Sequence, residues 1–186
     1  LPSFNRKGIQ LKIMRYVESL NKALHRLMKN DDKVFVMGQD ILDPYGGAFK
    51  VTKGLSTAYP DRVLSTPISE ASITGFAIGL AIRGYRPVLE IMFGDFLALC
   101  ADQIVNGASK YHWMYDKKFS VPLVIRTPMG GRRGYGPTHS QTLESLFLGI
   151  SGLNIIAPSN YHNPGELLYQ TVLNGEIPTL FVENKL

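Results

Sequence analysis

Arg62-Val63-Leu64-Ser65, then Thr66-Pro67-Ile68-Ser69-Glu70, then Pro87-Val88-Leu89-Glu90-Ile91 read in order as strand, helix start and strand. The two outer runs are short, apolar and without clean alternation, as strands covered on both faces are. Between them Ala71, Ser72, Thr74, Gly75, Ala77, Gly79 and Ala81 give the helix an unusually smooth surface. Thr66 followed by Pro67 suits an N-cap and a first helical position, which would begin the helix there. A strand–helix–strand unit of this length predicts a crossover between parallel strands.

The same alternation extends in both directions. Further apolar runs occur at Val34-Phe35-Val36-Met37, Pro122-Leu123-Val124-Ile125, Leu153-Asn154-Ile155-Ile156-Ala157 and Thr179-Leu180-Phe181-Val182. Ile13, Tyr16, Leu20, Leu24 and Leu27 recur at helical spacing, predicting an amphipathic helix over roughly 9–29, ended by Asn30-Asp31-Asp32. The expected fold is α/β: a doubly wound, mainly parallel sheet of about six strands with helices on both faces. A helical segment over 1–32 and an α/β core over 33–186 would form a single domain. Two loops, Gln39–Gly47 and Thr127–Gln141, follow strand ends on the side where open α/β sheets bind ligands.

The 186 residues are enough for one sizeable core, and 45% hydrophobic against 19% charged residues sets the chain apart from disordered sequences. No apolar run approaches the length of a membrane span and no signal-peptide pattern is present, so no membrane partner is expected. The sequence opens on Leu1, which suggests a piece of a longer protein. One cysteine, Cys100 in Phe96-Leu97-Ala98-Leu99-Cys100, excludes an internal disulfide and suits a reducing cytoplasmic compartment and a core position. The net charge of +5 is scattered over Arg6, Lys7, Lys12 and Arg15, then Lys110, Lys117, Lys118, Arg126, Arg132 and Arg133. Without a basic stripe set with aromatic platforms, this reads as a solvated face or a patch for an acidic partner, not a nucleic-acid surface.

Several motifs fail on inspection. In Thr127-Pro128-Met129-Gly130-Gly131-Arg132-Arg133-Gly134-Tyr135-Gly136-Pro137-Thr138-His139-Ser140-Gln141, Pro137 stands where a phosphate loop needs lysine. His139 stands where a dinucleotide fingerprint needs glycine or alanine. What survives is a glycine-hinged loop able to carry Arg132, Arg133 and His139 over a site, or a plain surface loop. His25, His112, His139 and His162 lack metal-ligand spacing, so no metal site is expected, and no Gly-x-Ser-x-Gly elbow supports a serine hydrolase. Phe93-Gly94-Asp95-Phe96 offers core aromatics, or in Phe96 a flat ring for a flat ligand. Glu70 likewise has two readings: a first-turn acid favoured by the helix dipole, or a buried acid holding a heterocycle.

Thr66-Pro67-Ile68-Ser69-Glu70, Gly84-Tyr85-Arg86-Pro87, Glu90-Ile91-Met92-Phe93-Gly94-Asp95-Phe96, Ala101-Asp102-Gln103-Ile104-Val105-Asn106, Thr138-His139-Ser140-Gln141 and Val182-Glu183-Asn184-Lys185-Leu186 form an ordered set. From about Val34 onward the chain resembles the pyrimidine-binding domain of the thiamine-diphosphate-dependent beta chain of 2-oxo acid dehydrogenases, a branch of the transketolase-like superfamily. The resemblance implies the thiamin diphosphate-binding fold and a first component that oxidatively decarboxylates a 2-oxo acid and passes the acyl group to a lipoyl arm. It implies that Glu70 hydrogen-bonds a ring nitrogen of the cofactor's aminopyrimidine, favouring the tautomer that draws off the thiazolium proton. It further implies that Phe96 packs on the pyrimidine, that Met92 shares the lining, and that His139 acts in acyl transfer or steadies charged intermediates.

The departures from the family pattern carry expectations of their own. No Gly-Asp-Gly segment for magnesium and diphosphate is found, and the swivelling C-terminal domain is missing. The resemblance therefore implies half a cofactor site: Mg2+ and diphosphate held by an alpha chain or diphosphate-binding domain, homo-oligomer contacts, and a lipoyl acyltransferase as acceptor. A structural K+ held by backbone oxygens is a further family feature. Ketol transfer of the transketolase or deoxyxylulose-phosphate synthase type, and a non-catalytic α/β assembly domain, remain alternative readings.

Overall fold

The computed structural model describes residues 14–185, so the first part of the expected 9–29 helix, with Ile13, Arg6, Lys7 and Lys12, lies outside the described residues. The helix α1 spans Tyr16–Asn30, with Arg15 as N-cap, whose backbone amide donates to Glu18 Oε2 at 3.4 Å and whose Nε donates to Glu18 Oε1 at 3.0 Å. Leu20, Leu24, Leu27 and Met28 form its buried stripe. Burying a leucine side chain contributes roughly 1.5–3 kcal/mol, so this stripe rather than helix propensity holds α1 in place.

Six strands follow: β1 (Val34–Gly38), β2 (Val63–Ser65), β3 (Arg86–Glu90), β4 (Val124–Met129), β5 (Asn154–Ile156) and β6 (Thr179–Asn184). They form one sheet in the order β2-β1-β3-β4-β6-β5, every pairing parallel. Between them lie the helices α2 (Leu55–Ala58), α3 (Glu70–Ile82), α4 (Ser109–Met114) and α5 (Pro164–Asn174). A 3-10 segment, Gly94–Cys100, and a π-helical segment, Gln103–Ala108, precede α4.

Alternate strand residues feed two cores. Val36, Val88, Val124 and Phe181 pack with α1 and α5, while Met37, Leu89, Ile125 and Leu180 pack with α3 and the 94–108 segments. Burial on both faces is why these strands read as continuous apolar runs. Helices α1 and α5 meet closely: a Cβ at Gly165 would lie 2.2 Å from the Ser19 carbonyl oxygen. Ser19 Oγ accepts from the Gly165 amide at 3.0 Å and donates to Asn163 Oδ1 at 2.7 Å.

The expected α/β sheet is present, with two local corrections. Thr66 does not cap α3, which begins at Glu70 with Ser69 as N-cap. The Thr66 amide instead donates to the Gly38 carbonyl at 3.0 Å, continuing the β1–β2 ladder past its end. The residue before a proline is pushed toward extended geometry, and here that preference outweighs capping. Likewise Thr127, Pro128 and Met129 are strand, not loop, paired with Val182, Glu183 and Asn184, so the glycine-rich loop begins at Gly130. Pro128 is tolerated inside β4 despite its missing donor.

Candidate functional site

From β1 the chain moves outward to β2, then returns past β1 through α3 to β3. The crevice outside the carboxyl ends of β1 and β3 is therefore a topological switch point, where ligands bind in this architecture. Gly38, Ser65 and Glu90 stand in register at the three strand ends. The residues that follow, Gln39, Thr66–Glu70 and Ile91–Phe96, thus gather at one end of the sheet.

Glu70, the first residue of α3, is only 5% exposed, so it is not a solvated dipole-compensating acid. Its Oε1 accepts a hydrogen bond from Gln39 Nε2 at 3.2 Å, and Gln39 is equally buried. Behind it the Thr74 hydroxyl donates to the Glu70 carbonyl at 2.7 Å, tying down the first turn. The Cys100 thiol, fully buried, is pushed up to about 11, by burial above all, against a hydrogen bond with Thr74 and with reinforcement from the Glu70 carboxylate. The 3-10 segment carrying Phe96 packs against α3. Phe96 and Met92 are both half-buried.

His139 comes from the loop after β4 and sits edge-on to two rings, 4.7 Å from Phe93 and 5.2 Å from Phe96 between centroids. Phe49 and Tyr135 complete an aromatic cluster around Phe93. The Lys185 ammonium donates to the His139 carbonyl at 2.6 Å, and its own carbonyl accepts from Arg133. Burial lowers the pKa of Lys185, against the pull of Asp95. Asp95 Oδ1 accepts from the Gln141 side-chain amide at 2.8 Å and from its backbone at 3.3 Å. The loop is thus pinned at both ends of His-Ser-Gln. His139 and Phe96 are brought together, whereas Glu70 and His139 share no hydrogen bond.

Sequence reasoning missed a buried ion triad behind these loops. Arg126, counted among the scattered surface charges, is 1% exposed. Its Nε and Nη2 each donate to Glu183 at 2.6 Å, and Nη1 donates to Glu90. Burial opposes the Arg126 charge, but the two carboxylates outweigh it and hold its pKa above the ordinary value. Burial likewise drives Glu183 above the usual carboxylate range despite Arg126, and Glu90 adds to the shift. The signal was available: charged residues inside central parallel strands must be paired. Gln39, at the start of a loop, and Lys185, near the chain's end, gave no comparable signal.

Residues 12–186 match the family model described as the transketolase pyrimidine binding domain. The chain belongs to that family. It is similar to the pyruvate dehydrogenase E1 component subunit beta of Chaetosphaeridium globosum, 44% identical over 170 residues, covering 91% of this chain and 52% of that one. The beta subunit of acetoin:2,6-dichlorophenolindophenol oxidoreductase from Cupriavidus necator is 39% identical over 176 residues, with 90% and 52% covered. The 2-oxoisovalerate dehydrogenase subunit beta of Bacillus subtilis is 36% identical over 176 residues, with 94% and 53% covered. The chain spans about half the length of these curated relatives. Among solved structures, a split gene transketolase described as an inactive beta4 tetramer shares the fold, with a TM-score of 0.72, 21% identity, and 91% and 51% covered.

Proposed function

We propose that this chain is the pyrimidine-binding part of the beta subunit of a thiamine-diphosphate-dependent 2-oxo acid dehydrogenase. The observation that carries the reading is Glu70: a buried carboxylate opening a helix at the sheet's switch point, with one oxygen held by Gln39. Such a group fits the edge of an aminopyrimidine, since it accepts from a ring N–H in a site from which water is largely excluded. Phe96, half-buried on the segment packed against α3, offers a flat face for the same ring. The relatives named above, all beta subunits of oxidoreductases or dehydrogenases, support the reaction class.

When bound, thiamine diphosphate supplies the carbon nucleophile and the electron sink that decarboxylation of a 2-oxo acid requires. This chain's residues do the positioning. Glu70 holds the proton shared with the pyrimidine edge, Phe96 and Met92 line the ring's pocket, and His139 delivers or takes a proton over the substrate from its pinned loop. Among the described residues no three His, Cys, Asp or Glu side chains gather as metal ligands. By the family resemblance, the diphosphate and its Mg2+ are assigned to an alpha chain or a separate diphosphate-binding domain, with a lipoyl arm of an acyltransferase as the acyl acceptor. No helix among the described residues is long and apolar enough to cross a membrane.

The test is to assemble the full-length protein with its diphosphate-binding partner and measure release of carbon dioxide from a panel of 2-oxo acids. Turnover of one of them, lost by at least a hundredfold in Glu70→Ala, is the expected result. Consumption of a sugar phosphate instead, or wild-type rates in Glu70→Ala, would overturn the proposal.

A further inference from the structure

Lys185 directly follows β6 and is only 4% exposed, an uncommon place for a lysine. The sheet fixes where it stands: Asn184, the residue before it, pairs with Met129 at the end of β4, where the glycine-rich loop begins. That loop then meets Lys185 twice. Arg133 Nε donates to the Lys185 carbonyl at 2.8 Å, and the Lys185 ammonium donates to the His139 carbonyl at 2.6 Å. The ammonium also lies 4.7 Å from the centroid of the Phe93 ring, which the His139 ring meets edge-on. Asp95 supplies the opposing charge, and its Oδ2 is buried with no hydrogen-bond partner among the described residues.

We infer that Lys185 is a positioning residue for His139, its ammonium tying the loop backbone so that the imidazole stays against Phe93 and Phe96. This rests on the proposed function for what His139 does, and goes beyond it by naming what holds the ring in place. The loop needs such a tie. It adopts left-handed φ at Gly130, Arg132, Gly134 and Gly136, of 99°, 64°, 75° and 83°. Glycine backbone has many alternatives open to it, so local geometry does not select one arrangement. The contact between the Thr138 hydroxyl and His139 Nδ1, at 3.0 Å, joins neighbours within the loop and moves with it. Arg133 reaches the carbonyl of Lys185 and leaves the His139 backbone untouched. Lys185 differs because the dependence runs both ways. A buried ammonium needs an acceptor, and a loop that lifted away would leave it only the Phe93 face and the Asp95 charge. Satisfying the lysine and holding the loop down are one event.

The experiment measures acylation of His139 by diethyl pyrocarbonate on the full-length chain, read by peptide mass spectrometry, with His112 and His162 as internal references. Wild type, Lys185→Met and Lys185→Met/Asp95→Asn are compared, the double variant removing the acid that the single one leaves without its cation. Both should label His139 about tenfold faster than wild type, the size of a lost hydrogen bond to a charged group, while His112 and His162 change by less than about twofold. On the full-length chain assembled with its diphosphate-binding partner, Lys185→Met should lower kcat for the 2-oxo acid about tenfold. In a His139→Ala background the same change should cost less than about twofold, because Lys185 acts through that ring. Wild-type labelling of His139 in both variants overturns the inference. So does an acceleration shared equally by the three histidines, or a kcat loss that is the same with and without His139. If the wild-type assembly decarboxylates no 2-oxo acid, the proposed function falls instead, and the labelling of His139 still decides whether Lys185 holds the loop.

Discussion

Replacing Arg126 by methionine removes the cation of the Glu90–Arg126–Glu183 triad and leaves two carboxylates facing each other in the core. Arg126 is 1% exposed and each glutamate 3%, and two of the contacts are 2.6 Å. Breaking a buried pair by deleting one partner costs about 3–5 kcal/mol. Against a total stability of about 5–15 kcal/mol for a protein of ordinary size, that is a large share. The assay is urea unfolding of the full-length chain followed by far-ultraviolet circular dichroism. Adding Glu90→Gln and Glu183→Gln to Arg126→Met should recover most of the loss, because the triple variant buries no uncompensated charge. The triad also carries one acid too many, which gives a pH signature. The folded pKa of Glu183 lies above its ordinary value of 4.5, so above pH 4.5 the folded state holds more protons than the unfolded state. Stability should fall as pH rises from there through the raised folded value, then level off, and Glu183→Gln should remove that slope. An Arg126→Met loss below about 1 kcal/mol, the size of an exposed pair, would refute the argument.

Three further perturbations probe other parts of the molecule. Gly165→Ala should destabilise by at least about 1–3 kcal/mol although alanine favours helix, since its Cβ would meet the Ser19 carbonyl at 2.2 Å; stabilisation on thermal melting would contradict the α1–α5 contact. Lys117→Gly should stabilise by roughly 0.5–1 kcal/mol, because Lys117 holds a left-handed φ of 57° directly after Asp116 at 56°. Asp116→Gly should gain less, since aspartate tolerates that region better, and equal melting temperatures for all three proteins would count against both expectations. Cys100, buried and pushed up to about 11, should react with a thiol reagent at pH 8 only as fast as the protein opens; prompt labelling of the native protein would disprove its burial.

The architecture was legible because its strands are buried on both sides. Val88 and Leu89 feed different cores, so the run Pro87-Val88-Leu89-Glu90-Ile91 reads as a strand without alternation. The boundaries were harder, and for a local reason. Thr66-Pro67 has the composition of a helix start, yet the backbone there is already committed to the Gly38 carbonyl, a long-range bond that no neighbouring residue announces. Thr127 and Pro128 look like loop residues, but their strand state depends on pairing with Val182 and Glu183 more than fifty positions away. At the site, Glu70, Phe96 and His139 stood out through motif and resemblance. Gln39 did not, since an amide in a polar loop declares itself only when its acceptor is found across a strand boundary.

The strands at the two margins of the sheet, Val63–Ser65 and Asn154–Ile156, are each three residues long, half the length of β4 and β6 inside. An unpaired strand that short offers a visiting chain few ladder rungs, too few to repay the order they demand. The fold thereby offers only three-residue strands at its two margins and resists growing sideways there into fibrils, even though its interior is built from apolar segments that would aggregate readily if released.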